Sequence, residues 1–150
     1  MAQFNYNEVQ LVQPGAPALL NDKIGCSRSS VLHRPGSGIL TLRGIVKNPK
    51  CGFARYRVAY DGNISVPTDG TAGEIQLAIA IGGEVVPTSI GTATPTVVDA
   101  YWNVSGFEVI DVPAGCCYTI AIENASVSNT AALPPALNLR NLNVEVTRLA

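Results

Sequence analysis

The feature that most constrains this chain is a two-residue alternation of apolar and polar side chains that recurs in separate stretches of its 150 residues. In Gly38–Val46, Leu40, Leu42 and Val46 share one face. In Phe53–Asp61, Ala54, Tyr56, Val58 and Tyr60 alternate with Arg55, Arg57 and Ala59. In Gly73–Gly82, Ile75, Leu77, Ile79 and Ile81 oppose Gln76, Ala78 and Ala80. Further on, Tyr118, Ile120 and Ile122 oppose Thr119, Ala121 and Glu123, and Leu142, Val144 and Val146 oppose Asn143, Glu145 and Thr147. Successive side chains of a β-strand point to opposite faces, so each stretch predicts a strand with one face in a core. No comparable stretch carries a 3.6-residue period with helix caps. Thr94–Tyr101 has room for one helical turn, but the β-branched Val97 and Val98 favour extended backbone.

Turn chemistry separates these stretches. Pro35-Gly36-Ser37-Gly38, Asn48-Pro49, Asp61-Gly62-Asn63, Pro67-Thr68-Asp69-Gly70, Gly82-Gly83 and Pro113-Ala114-Gly115 combine residues that preset or permit turn dihedrals. Gly82-Gly83 between Ile81 and Glu84 predicts a tight hairpin. Eight to ten short strands in one domain predict an all-β fold, an antiparallel β-sandwich or jelly roll, with the last strand pinning the C-terminus in a sheet. Residues 1–23 hold Pro14-Gly15-Ala16-Pro17 between two short apolar runs and are expected to be an attachment arm or a first strand. Residues 24–150 are expected to form the jelly roll.

Composition narrows the function. Charged residues are only 14% of the chain, against about a quarter in a typical domain, and the net charge is -1. There is no basic field to grip nucleic acid. No apolar run reaches the length of a membrane span, and the N-terminal MAQFNYNEVQLVQPG has no signal-peptide pattern, so synthesis in a cytosol is expected. With 47% apolar residues and so little charge, some surface must be apolar, which points to self-association or a larger assembly. Adjacent Tyr101 and Trp102 cannot both enter one core from a strand. Core packing accounts for most of the large aromatics, and the expected subunit interface draws on Tyr56, Tyr60, Tyr101, Trp102, Arg55 and Arg57, the arginines pairing with a neighbour's carboxylates or else solvated on an outer face. Phe4, Tyr6, Val9, Leu11, Leu19 and Leu20 are the expected attachment residues of the arm. Sugar stacking on an exposed aromatic is the alternative.

Chemistry is sparse. The single histidine, His33, runs from a strand into a turn and reads as structural, and Ser37 sits in that turn without a nameable catalytic partner. Carboxylates are scattered singly. Asp69 and Glu74 flank a Gly-containing loop but lack the alternating oxygen ligands of a calcium site. Cys26, Cys51, Cys116 and Cys117 fit no zinc spacing and are expected to be free thiols, with one of the adjacent pair buried. The sequons at Asn63, Asn103 and Asn124 are expected to be coincidental. No catalytic, cofactor or metal residue is expected.

Taken together, the segments HRPGSGILTLRG (His33–Gly44), CGFARYRVAYDGNISVPTDGTAGEIQLAIAIGGE (Cys51–Glu84), VIDVPAGCCYTIAIEN (Val109–Asn124) and NLNVEVTRLA (Asn141–Ala150) resemble a family of small proteins from phages and prophages of gut Firmicutes. The resemblance spans about residues 24–150 and departs from the family where Ala132–Asn138 lengthens a loop. It implies a virion structural protein, a homotrimeric jelly roll of the tumour-necrosis-factor/C1q type. Its partners would be its own copies and the major capsid protein, on whose outer surface it sits as a decoration protein. A fibre head binding a receptor or surface glycans, or a spore-surface trimer, are the alternatives.

Overall fold

The computed structural model describes residues 1–24, 30–46, 50, 52–127 and 134–150. Twelve strands follow one another: β1 (Ala2–Tyr6), β2 (Gln10–Val12), β3 (Asn21–Ile24), β4 (Val31–His33), β5 (Leu40–Arg43), β6 (Phe53–Ser65), β7 (Ile75–Ile81), β8 (Glu84–Val85), β9 (Gly91–Ala93), β10 (Trp102–Pro113), β11 (Cys117–Asn124) and β12 (Leu137–Arg148). They form two antiparallel sheets. The first has the order β10-β6-β12-β1-β3, with β2 also on β12; the second has β4-β5-β11-β7-β8, with β9 also on β7. From β5 to β7 and again from β10 to β12 the chain changes sheet at every strand, which is the crossing pattern of a jelly roll. Thr94–Tyr101 is not helical; the helical turn among the described residues is the 3-10 segment Pro87–Ser89.

The alternation read from the sequence is the burial pattern. Ala54, Tyr56, Val58 and Tyr60 of β6 enter the core, as do Leu40, Leu42, Ile75, Leu77, Ile79, Ile120 and Ile122. The predicted Gly82-Gly83 hairpin joins β7 to β8 with φ of 60° and 86°, the left-handed pair that a two-residue turn of this hand requires.

Two boundaries differ from the sequence reading. Asp61-Gly62-Asn63 is not a turn: β6 runs straight through it to Ser65. Gly62 is there because β12 crosses closely, so that a Cβ would lie 2.9 Å from Leu139 Cδ1. Strand β12 begins at Leu137 rather than Asn141. Its register against β6 slips between Arg140 and Asn143, and Asn141 takes φ 53°. This bulge changes the parity, so that Leu137 and Leu139 before it and Leu142, Val144 and Val146 after it all face inward.

Residues 1–23 are woven into the sandwich. All five residues of β1 pair with β12, from Ala2↔Val146 to Tyr6↔Leu142. The next segment crosses to the second sheet, where Gly15 N donates to Asn124 O at 2.9 Å and Ala18 N to Ile122 O at 2.7 Å. Cys116 and Cys117 are both free and exposed, against the expectation that one is buried. The reason is position: Cys116 lies in the turn before β11, its backbone N bonded to Pro113 O at 3.0 Å, so strand alternation does not act on it. Cys26, Cys51, the Asn48-Pro49 turn and the start of the Ala132–Asn138 loop lie outside the described residues.

Candidate assembly surface

The outer face of the first sheet is built by the pairing of β6 with β10. Arg55 stands opposite Asp111, Arg57 opposite Val109, and Ala59 opposite Phe107. Arg55 donates from Nε to Asp111 Oδ1 at 2.7 Å and from Nη2 to Oδ2 at 2.9 Å. The hydrogen bonds from Arg55 hold the Asp111 carboxyl below its ordinary range and raise Arg55 in turn. Both groups are in water, so the pair fixes geometry more than it stabilises. The same guanidinium lies 4.8 Å from the centre of the Phe53 ring, and that of Arg57 lies 4.8 Å from the Phe107 ring. Arg55 so has a partner, Asp111, within its own chain on this outer face.

Beyond this ladder, β10 is an edge strand that pairs only with β6 among the described strands. It carries Trp102, Phe107 and Val109 at 51%, 55% and 46% exposure. A groove of about 510 Å³ lies along it, lined by Thr88, Ile90, Ser105, Gly106, Phe107, Glu108 and Val109. Thr88 Oγ1 donates to Glu108 Oε1 across it. Large apolar side chains beside an unpaired backbone edge are the chemistry of an association surface.

The structure separates the six expected interface residues. Tyr56 and Tyr60 are corrected to core residues, both buried. The Tyr60 hydroxyl lies 2.8 Å from Leu77 O and 2.7 Å from Ser89 O, and burial pushes its pKa up to about 12. Tyr56 lies 2.6 Å from Arg43 O through its hydroxyl. Both phenols so place their polar ends on backbone carbonyl oxygens inside the fold. Trp102 is exposed, whereas Tyr101 is half-buried under Arg140, whose guanidinium lies 3.8 Å from the ring centre. Phe107 and Val109 are the contributors that the sequence reading missed. The run Phe107–Val112 held the signal, since adjacent Val109 and Ile110 cannot both face one core.

The expected attachment residues divide as well. Phe4 and Leu20 are buried in the core and Tyr6 packs against it, so Phe4 and Leu20 are corrected from docking to structural residues. Val9, Leu11 and Leu19 are exposed. Between them Gln10 is buried, accepting from Leu19 N at 2.8 Å and donating to Leu19 O at 3.1 Å. One side-chain amide so replaces a strand pairing and holds the three apolar residues outward.

Other polar groups are accounted for internally. His33 bonds Asp22 through Nδ1 at 2.5 Å and Ser37 O through Nε2 at 2.8 Å, with its ring edge on Phe4. Asn124 is buried and donates to Val12 O at 3.0 Å and Pro135 O at 2.9 Å, which makes it a clasp rather than an accessible acceptor for a glycan. Glu74 accepts from Gln76 at 2.7 Å, and no group of acidic, histidine or cysteine side chains among the described residues is placed to hold a metal. Glu123 is only 7% exposed, and burial pushes its pKa up.

No protein-family model and no curated protein sequence matches the chain. Solved structures do. The globular domain of zebrafish complement 1qA protein is 16% identical and superimposes with a TM-score of 0.60 over 100% of this chain and 98% of that one. Murine APRIL is 10% identical, with a TM-score of 0.54 over 96% of this chain and 98% of that one. At such identities the likeness speaks for architecture alone: the chain is an antiparallel jelly roll of the C1q and tumour-necrosis-factor type.

Proposed function

We propose that this protein is a non-enzymatic structural component of a phage virion, a homotrimer that binds the outer surface of the capsid and cements it. The observation that carries the reading is the exposed pair Phe107 and Val109 on the outer face of edge strand β10, beside its groove, with Trp102 exposed on the other face of the same strand. Left in water, such an edge recruits another chain. Phe107 and Val109 stand on the outer face of the sheet beside Ala59 and Arg57, and three copies packing through that face are what the sequence resemblance implies.

Capsid binding falls to the second apolar patch, Val9, Leu11 and Leu19. A patch this small binds weakly in one copy. Threefold repetition raises overall avidity on the order of 10²–10⁴. The net charge of -1 lets many copies crowd on one shell with little repulsion. Assembly takes place in the host cytoplasm, and the protein resides on the capsid exterior. The test is co-sedimentation with capsids stripped of the protein. The double variant Leu11→Glu with Leu19→Glu is expected to remain a folded trimer and lose capsid binding. Undiminished binding by that variant, or no binding by the unaltered protein, contradicts the reading.

A further inference from the structure

The outer face of the first sheet ends in a row of amides. Asn5 of β1 stands opposite Asn143 of β12 on one side and opposite Asn21 of β3 on the other. Gln3 donates from Nε2 to Asn143 Oδ1 at 2.8 Å, which orders one end of the row. At the other end, the amides of Asn5, Asn7 and Asn21 and the carboxylate of Glu8 have no side-chain partner among the described residues. With Tyr6 these four line a cavity of about 260 Å³. Tyr6, two residues on from buried Phe4, packs against the core on the face of β1 opposite Asn5, so the open walls of the cup are the four polar side chains.

The donor set indicates the ligand class. Each primary amide presents a donor and an acceptor side by side. The hydroxyl groups around a sugar ring present the same pairing in reverse. No cationic side chain lines the cup and Glu8 does, so phosphates and acidic sugars are disfavoured. Drug-sized ligands occupy sites of about 300–1,000 Å³, so this smaller cup suits a single ring.

We propose that Asn5, Tyr6, Asn7, Glu8 and Asn21 form a binding site for one neutral saccharide residue of a surface glycan. The site goes beyond capsid decoration and does not depend on it, because every lining residue comes from a single chain.

Saturation-transfer NMR on the full-length protein tests it, with glucose, galactose and N-acetylglucosamine as probes and N-acetylneuraminic acid as the anionic control. At least one neutral sugar is expected to receive saturation, and the acidic sugar none. Asn21 is exposed on edge strand β3, so Asn21→Ala spares the core. With the circular dichroism spectrum unchanged, that variant is expected to weaken the neutral sugar about tenfold, the usual scale for one lost polar contact. Glu8→Lys, in the turn after β1, serves as a second variant with the same expected direction. No transfer to any neutral sugar, transfer untouched by both variants, or equal transfer to the acidic sugar overturns the proposal. The oligomer's mass and its capsid binding are read separately, so failure here leaves the assembly reading distinguishable.

Discussion

Tyr60 on β6 donates its hydroxyl toward the carbonyl oxygen of Leu77 on β7, 2.8 Å away, so one phenol ties the two sheets together behind the exposed edge. Removing the hydroxyl takes away the single buried proton that it shares between the carbonyl oxygens of Leu77 and Ser89. Tyr60→Phe is expected to lower unfolding stability by about 1–3 kcal/mol, read as a lower urea midpoint at unchanged slope. The pKa of Tyr60 rises from 10.0 to about 12 on folding. The unfolded chain therefore loses this proton first as pH rises. The contribution is complete below about pH 10 and fades through about pH 12, and the phenylalanine variant is expected to lack that decline.

Gly106 lies on β10 against the same ring. A Cβ there would come within 2.4 Å of Ser89 O and 2.9 Å of Tyr60 Cε1. Backbone cannot yield as a flexible side chain does. Gly106→Ala is expected to cost about 1–3 kcal/mol by overpacking and to shift the edge strand, measured by thermal unfolding and by amide exchange along β10.

Glu123 is buried on β11 beside Ala78, without a side-chain hydrogen bond among the described residues. Burial raises its pKa, so the folded state holds the proton more tightly than the unfolded state. Its contribution is fully present below the unfolded pKa and is lost as pH rises through the folded one. Glu123→Gln is therefore expected to raise the melting temperature at neutral pH. The advantage should shrink as pH is lowered toward the ordinary carboxylate range. A variant less stable than the parent at neutral pH contradicts this.

The bulge in β12 places Asn141 in the left-handed region, at φ 53°. Asparagine tolerates that region and β-branched residues do not. Asn141→Gly is expected to leave stability nearly unchanged. Asn141→Val is expected to cost about 1–3 kcal/mol of backbone strain, measured by chemical denaturation.

The architecture was legible wherever one face of a strand meets one core. The inward set of β6 from Ala54 to Tyr60 is the set the alternation identified. Its continuation through Gly62 was not legible, because a glycine chosen for close approach to Leu139 looks in the sequence like a turn. The bulge in β12 was hidden because parity changes only relative to a partner strand. The inward role of Phe4 was legible in the alternation of Ala2, Phe4 and Tyr6 with Gln3 and Asn5, which is the burial pattern of β1, whereas Leu20 lies outside any strand and no period marks it. Tyr56 and Tyr60 belong to the inward set of β6, and the carbonyls that receive their hydroxyls show how a phenol is carried inside.

The measurement that bears most directly on the account is the mass of the purified protein in solution by light scattering after size exclusion. A chain of 15.7 kDa that associates through the β10 edge is expected at three times that mass, about 47 kDa. Phe107→Asp should shift it to a folded species of one chain's mass. A monodisperse single chain for the unaltered protein at high concentration, or a trimer indifferent to charge at Phe107, contradicts the account.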